Sequence, residues 1–420
     1  MVNRTLPEGW EWSTLGAATN PAQKRVDPQK FPDLLYIGME NVESQTMRLL
    51  GTVPGKEMKS AADSFSPDDV LYGRLRPYLN KVYRPDFEGL CSTEFIIFRK
   101  VPHIHSKFLQ YFLNSWDFMN FANSLNAGDR PRVKFEQLAD YPFPLAPLPE
   151  QERIVNRIEE LFSDLDAGVA ALERVRAGLK RYKASVLKAA VEGTLTHASR
   201  PSPKGRGGSD GLPEGWRWTT VGEIGDENEQ TVLTGPFGSN LGSEDFQENG
   251  VPVLTIGCLT ERGLNLDKAK YISETKAREL EKYRVREGDF LFSRMATVGR
   301  AGLVTKQFGG LIFNYHLMRL RLDKSKIDIS YFLAYVRGSN TVTNYVRDVN
   351  HGATRDGINT KQLLDLPVSL PPLDEQRRIV AEVERRLSVV GEVESTVNAG
   401  LARAARLRQA VLRSAFEGRL

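Results

Sequence analysis

Only two cysteines, Cys91 and Cys258, occur in 420 residues. They cannot form a disulfide framework, and two thiols alone do not complete a tetrahedral metal site. They read as reduced thiols of a cytosolic protein. No stretch approaches the roughly 18 consecutive apolar residues of a membrane span, so no membrane partner is expected. The opening MVNRTLPEGW lacks the apolar core of a secretion signal. Charge of one sign is missing too. Residues 1–148 carry 17 basic and 17 acidic side chains, residues 212–371 carry 20 of each, and the chain is +4 overall. Any hold on a polyanion must therefore come from local clusters, not from bulk charge.

Catalytic signatures are equally scarce. There is no G-x-x-x-x-G-K-[ST] phosphate loop, no NPPY or DPPY tetrapeptide of an amino-methyltransferase, and no G-x-G-x-x-G after a strand. Pro32-Asp33 followed by Glu57-Met58-Lys59 fits the loose PD…ExK spelling of nucleases whose carboxylates hold Mg²⁺. Three short tokens with a free gap arise readily by chance. His103-x-His105 has metal-ligand spacing on an expected strand, yet no partner ligands accompany it, and it reads as a structural pair. No catalytic residue and no metal site is assigned.

What the chain does contain is itself, twice. LPEGWEWSTLG (Leu6 to Gly16) returns as LPEGWRWTTVG (Leu212 to Gly222). LPEQERIV (Leu148 to Val155) returns as LDEQRRIV (Leu373 to Val380), and YKASVLKAAVEGTL (Tyr182 to Leu195) as LRQAVLRSAFEGRL (Leu407 to Leu420). Weaker echoes lie between: DVLYGRLRP (Asp69 to Pro77) parallels GDFLFSRMA (Gly288 to Ala296), and QLADYP (Gln137 to Pro142) parallels QLLDLP (Gln362 to Pro367). Matching ends with divergent middles describe one scaffold carrying two different faces.

Each copy closes on a helical block. Apolar residues at Ile154, Ile158, Leu161, Leu165, Leu172, Val175, Leu179, Tyr182, Val186 and Ala189 step by fours and threes, with Gly168 interrupting. Ile379, Val383, Val390, Val393, Val397, Ala404, Leu407 and Val411 repeat the register, with Arg386 and Gly400 as breaks. That is a heptad pattern, and neither stripe can be buried alone, so the helices are expected to pair. Two heads and one linker favour an antiparallel pair, a rod of about 65 Å if each helix runs unbroken for roughly 44 residues. Between the copies HASRPSPKGRGGSDG (His197 to Gly211) has the composition of a flexible tether. The circularity of the repeat places the first residues near the end of the second helix.

The expected fold class is α+β: two similar mixed α/β heads, separated by two long helices in an antiparallel coiled coil, related as a pseudo-two-fold repeat. The boundaries are 1–148 and 212–371 for the heads, 149–195 and 372–420 for the helices, and 196–211 for the linker. VLYGRL, EFIIFRK, VPVLTIG, DFLFSR and LIFNYHLMRLRL read as strands, and KFLQYFLNSWDFMNFANSL and residues 331–349 as helical. Candidate contacts to nucleic acid are Arg74, Arg76, Lys81 and Arg84, then Arg130, Arg132 and Lys134. The second half offers Arg294 and Arg300, then Arg355, Asn359 and Lys361. Arginine reads guanine bidentately and Asn reads adenine.

Several of these segments together carry a resemblance: LPEGWEW and LPEGWRW, TGPFGSNL (Thr234 to Leu241), GDFLFSRMATVGRAGLV (Gly288 to Val304), PLPEQERIV and PPLDEQRRIV. Over essentially its whole length the chain is similar to the specificity subunits of type I restriction-modification systems. That resemblance implies two target recognition domains, each reading half of a split site in double-stranded DNA, with the helices setting the spacing. Ser239 and Asn240 in TGPFGSNL join the candidates; the first half has no clean copy of that motif. The expected partners are two modification subunits, carrying the adenine-N6 methyltransferase and its S-adenosylmethionine, and two restriction subunits. ATP and Mg²⁺ are expected on those partners, no cofactor on this chain, and the chain itself is expected to be cytoplasmic and non-catalytic. The competing readings are a coiled-coil scaffold whose heads bind protein and a Mg²⁺-dependent nuclease using Asp33, Glu57 and Lys59.

Overall fold

The computed structural model describes residues 6–126, 128–196, 211–260, 263–294, 300–351 and 357–420. It divides into two compact units, residues 1–174 with 397–420, and residues 175–396. The expected tether, 197–211, lies outside the described residues except for Gly211.

The first unit opens with a two-stranded ribbon, Glu11–Thr14 antiparallel to Pro142–Leu145. A four-stranded sheet follows in the order Asn20–Pro21, Phe95–Arg99, Val70–Gly73, Val82–Tyr83. A five-stranded sheet contains the parallel pair Leu35–Ile37 and Gly89–Ser92. The second unit repeats the plan. Its ribbon pairs Arg217–Thr220 with Pro367–Leu370. One sheet runs Val232–Thr234, Leu317–Leu320, Phe290–Ser293, Ala301–Leu303, and another contains the parallel pair Val251–Leu254 and Ile312–Phe313. The strands Val70–Gly73 and Phe290–Ser293 are buried along their whole length, which is why they read as unbroken apolar runs and not as alternation.

Each expected helical segment is two helices. Ser106–Asn114 and Trp116–Ser124 are separated by Ser115, whose backbone is extended and whose Oγ accepts from the Phe118 N–H at 3.4 Å. Ile329–Gly338 and Asn340–His351 are separated in the same way by Ser339, whose Oγ accepts from Thr341 N–H at 3.1 Å. A serine side chain that caps the next helix supplies the acceptor that the broken helix lacks. The apolar period runs straight through both serines and hides the break. LIFNYHLMRLRL is likewise two strands, Ile312–Phe313 and Leu317–Leu320, around the turn at Asn314–His316.

The long helices are Leu148–Val191 and Leu373–Phe416, 44 residues each. Their starts are locked by one buried glutamine apiece. Gln151 Nε2 donates to the carbonyls of Ala146 (2.8 Å) and His103 (3.0 Å), and its Oε1 accepts from His105 N–H (2.9 Å). Gln376 Nε2 donates to Pro371 (2.9 Å) and Lys326 (3.3 Å), and its Oε1 accepts from Asp328 N–H (2.7 Å). Both side chains are fully buried. The amide's donors and acceptor are all used, tying helix start, preceding strand and the turn before the shorter helices into one joint. That joint is the reason for the repeated PEQ and DEQ. It also corrects the expectation for His103 and His105, which lie in the turn and not on a strand.

Within each unit the helices pair antiparallel. In the first, Arg408 pairs with Asp166 and its guanidinium lies 4.1 Å over the Phe162 ring, while a side chain at Gly400 would meet Leu172 at 3.0 Å. Gly400 thus interrupts the apolar stripe to admit a leucine. In the second, Lys183 donates to Glu394 at 3.2 Å. Much of the deep burial lies in the stretches that also touch a head, although Val390 and Val397 are buried outside them. Ile154, Ile158 and Phe162 join Leu412 and Ala415 in one core with Phe108, Phe112 and Phe143. Val186, Ala190 and Val191 join Ile379 and Val383 in another with Tyr331 and Phe332. Burial along the helices is uneven: Val175 and Tyr182 each remain 45% exposed.

Both helices stop at a glycine in the left-handed region, Gly193 (φ +73°) and Gly418 (φ +67°). A Cβ at Gly193 would strike Pro213, and one at Gly418 would strike Pro7, the proline of LPEGW in each case. The expected closeness of the first residues to the end of the second helix is therefore present. Gln376→Ala and Gln151→Ala should each strand a buried N–H and carbonyls, lowering stability by about 1–3 kcal/mol in chemical denaturation. A circular permutant joined from 420 to 1 and opened within 197–210 should keep its fold, checked by circular dichroism and melting.

Candidate nucleic-acid interface

In the first unit, three backbone segments meet where the buried strand Val70–Gly73 ends. Arg74 N–H donates to Glu94 O at 2.9 Å, and Arg74 O accepts from Val133 N–H at 3.0 Å. Arg76 N–H donates to Pro131 O at 2.7 Å, and Leu75 and Arg132 form an antiparallel bridge. Two basic clusters more than fifty residues apart in sequence become neighbours in this way. Arg132 Nη2 donates to Glu94 Oε1 at 2.7 Å, and Arg74 Nε lies 3.6 Å from Glu94 Oε2. The Nε atoms of Arg74 and Arg76 are buried and meet no acceptor among the described residues. Arg76 has φ +53°, in the left-handed region, where it starts the turn Pro77–Leu79. Arg130 and Lys134 are exposed nearby.

The other two candidates of this unit are engaged elsewhere. Lys81 Nζ donates to Met39 O at 2.6 Å. Arg84 pairs with Asp68, which also accepts from Lys100 Nζ at 2.8 Å. Lys100 first, and Arg84 after it, hold the Asp68 carboxyl below its ordinary range. Both cations serve the unit's own carbonyls and carboxylates.

The second unit builds the same junction. Arg294 N–H donates to His316 O at 3.0 Å, and Arg294 O accepts from Ile358 N–H at 2.9 Å. Arg294 Nε is buried without an acceptor among the described residues. Arg300 is exposed, its backbone paired with Ser293. Gly235 N–H donates to Leu317 O at 3.1 Å, bringing TGPFGSNL beside the Asn314–His316 turn. In that segment Asn240 is exposed and Phe237 is 61% exposed. The Tyr315 and His316 rings lie 3.9 Å apart between centroids. Burial, then the charges of Arg294 and Lys270, push the His316 imidazole below its ordinary pKa. Asn359 is exposed but already occupied: its Oδ1 accepts from Gln362 N–H at 2.9 Å and caps Thr360–Leu364. Lys361 is exposed. Arg355 and the side chain of Ser239 lie outside the described residues.

One pair in each unit escaped sequence reasoning. Arg99 donates to Asp69 at 2.7 Å, while Asp69 Oδ2 also accepts from Ser66 N–H at 2.8 Å. Arg321 donates through Nε and Nη2 to Asp289, both at 2.7 Å, and Asp289 Oδ2 accepts from Arg286 N–H at 2.8 Å. The only signal was the aspartate standing five residues before Arg74 and before Arg294. These buried pairs hold the junction strand to its neighbour. Asp33, Glu57 and Lys59 are all exposed, and among the described residues no three His, Cys, Asp or Glu side chains are grouped to hold a metal ion. No helix of the described residues is long and apolar enough to cross a membrane.

A family model, the type I restriction modification DNA specificity domain, matches residues 68–174 and 213–390. The chain belongs to this DNA specificity family. It is 27% identical to the EcoKI specificity subunit of Escherichia coli K12 over 99% of this chain and 90% of that one. It is also 27% identical to the StySPI specificity subunit of Salmonella potsdam, with the same coverage. The HsdS subunit of Thermoanaerobacter tengcongensis superposes with TM-score 0.51 at 25% identity, covering 100% of this chain and 99% of that one. A chain from a type I R-M system assembly shares the fold at TM-score 0.71 and 24% identity, covering 99% of this chain and all of that one. Both junctions fall inside the spans matched to the DNA specificity domain. Within that family frame the duplicated α+β architecture with its two long helices is what these relatives share. Asp289→Ala leaves the buried Arg321 without its main partner and should cost about 3–5 kcal/mol, read as a lowered denaturation midpoint.

Proposed function

We propose that this chain reads a split sequence in double-stranded DNA, one half with each unit, for two modification and two restriction subunits. The observation that carries this reading is the recurrence of one arginine-bearing junction, Arg74 and Arg294, at matching backbone positions of two otherwise divergent units. Residues 1–148 and 212–371 are the target recognition domains. Residues 149–195 and 372–420 are the spacing helices, joined through the linker 196–211. Arg74, Arg76, Arg130, Arg132 and Lys134 serve the first half-site, and Asn240, Arg294, Arg300 and Lys361 the second. Arg355 and Ser239 belong with the latter by sequence position. Lys81, Arg84 and Asn359 act structurally, since their polar groups already have partners.

The chain performs no chemistry in this scheme and acts in the cytoplasm. S-adenosylmethionine, ATP and Mg²⁺ reside on the partner subunits. Guanidinium groups recognise guanine edges through paired donors, whereas the exposed lysines meet phosphate and add salt dependence.

Exchanging residues 226–350 for those of a relative should change one half of the methylated sequence and leave assembly intact, read by mapping N6-methyladenine. Inserting fourteen residues, two heptads, into both long helices should lengthen the unread spacer of that sequence. An unchanged spacer would remove the helices from any measuring role.

A further inference from the structure

We propose that Glu94 and His316 are the side chains that make the two units read different base pairs. The inference rests on the DNA-reading function above and assigns to this position the difference at the base pair that each junction arginine meets. In each unit the junction arginine is fixed by the same two backbone bonds. Arg74 N–H donates to Glu94 O at 2.9 Å and Arg294 N–H to His316 O at 3.0 Å. Arg74 O accepts from Val133 at 3.0 Å and Arg294 O from Ile358 at 2.9 Å. The bracing pairs Asp69–Arg99 and Asp289–Arg321 are also common to both. Arginine, backbone and brace are shared, and the third side chain of the junction is not.

The two side chains give the shared arginine opposite surroundings. Glu94 is an anion between two guanidiniums, 2.7 Å from Arg132 Nη2 and 3.6 Å from Arg74 Nε. A guanidinium has five N–H donors in a fixed fork, so one carboxylate aims Arg74 and Arg132 while leaving donors for a guanine edge. His316 is half-buried beside Arg294, with its ring against that of Tyr315 at 3.9 Å. A neutral imidazole carries one donor and one acceptor on opposite sides of its ring, so it can meet a base edge with a single hydrogen bond, as donor or as acceptor. The first junction thus sets a carboxylate acceptor against its guanidinium donors, and the second sets an imidazole, either donor or acceptor, beside its arginine.

The test uses the full chain assembled with its modification subunits, carrying Glu94→His, Glu94→Gln, His316→Glu or His316→Gln. Mapping N6-methyladenine should show the Glu94 variants altering bases in one half of the split sequence and the His316 variants altering only the other, with the spacer unchanged. Binding to duplexes substituted at each position should show discrimination falling roughly tenfold or more at one base pair, with the opposite half untouched. An unaltered sequence for all four variants overturns the assignment, as does equal loss of discrimination in both halves. Loss of methylation by the glutamine variants in a folded, assembled complex marks a structural role and overturns it too. The exchange of residues 226–350 separates the two levels of failure. If that exchange changes a half-site and the point variants do not, the assignment falls and DNA reading stands. If the exchange changes nothing, DNA reading itself falls.

Discussion

A single buried amide in each unit governs how the rest is arranged. Gln151 and Gln376 each bind three backbone groups from two different segments, and both amide donors are used. A long helix attached only by apolar contacts could rotate or slide by a turn, since leucines and valines are interchangeable to first order. A hydrogen-bonded side chain with directional demands permits one rotation and one axial position. Within its own unit, the part of the helix that follows inherits that setting, including which residues face its antiparallel partner.

The heads are organised by a comparable economy of charge. Their equal numbers of acids and bases are not a diffuse mixture. Arg99 and Arg321 are closed onto buried aspartates, and Arg84 and Lys81 onto local oxygens. Arg74, Arg76, Arg294 and Arg319 differ from these, because each presents a buried Nε with no acceptor among the described residues. A buried donor left open is unfavourable unless something supplies the missing acceptor.

The duplication, the strands and the two long helices were legible in the sequence because each leaves a periodic or repeated mark. The heptads disclosed the pairing of the helices, but not its depth. Ile154 and Ile379 are each buried in the core of their own head, and Tyr182 is left 45% exposed. The breaks at Ser115 and Ser339 were hidden, since a capping serine does not disturb apolar spacing. At the candidate interface, both arginine clusters of the first unit were visible but their meeting was not. Leu75 and Arg132 are joined by backbone bonds, which any residues can make. The Asp69–Arg99 and Asp289–Arg321 pairs were hidden for a similar reason: their partners are about thirty residues apart, and the repeated aspartate five residues before each junction arginine does not name its partner.

The self-paired cations have a bearing on how such a molecule finds its place on a genome. Weak, sequence-blind adhesion to duplex comes from free positive charge releasing counterions. With cations such as Arg84, Arg99, Lys100, Arg286 and Arg321 already facing their own carboxylates, a unit of this kind has less with which to linger on the wrong stretch. Encounters with irrelevant sequence end quickly, and a long dwell time is reserved for a stretch whose base edges satisfy the few open donors.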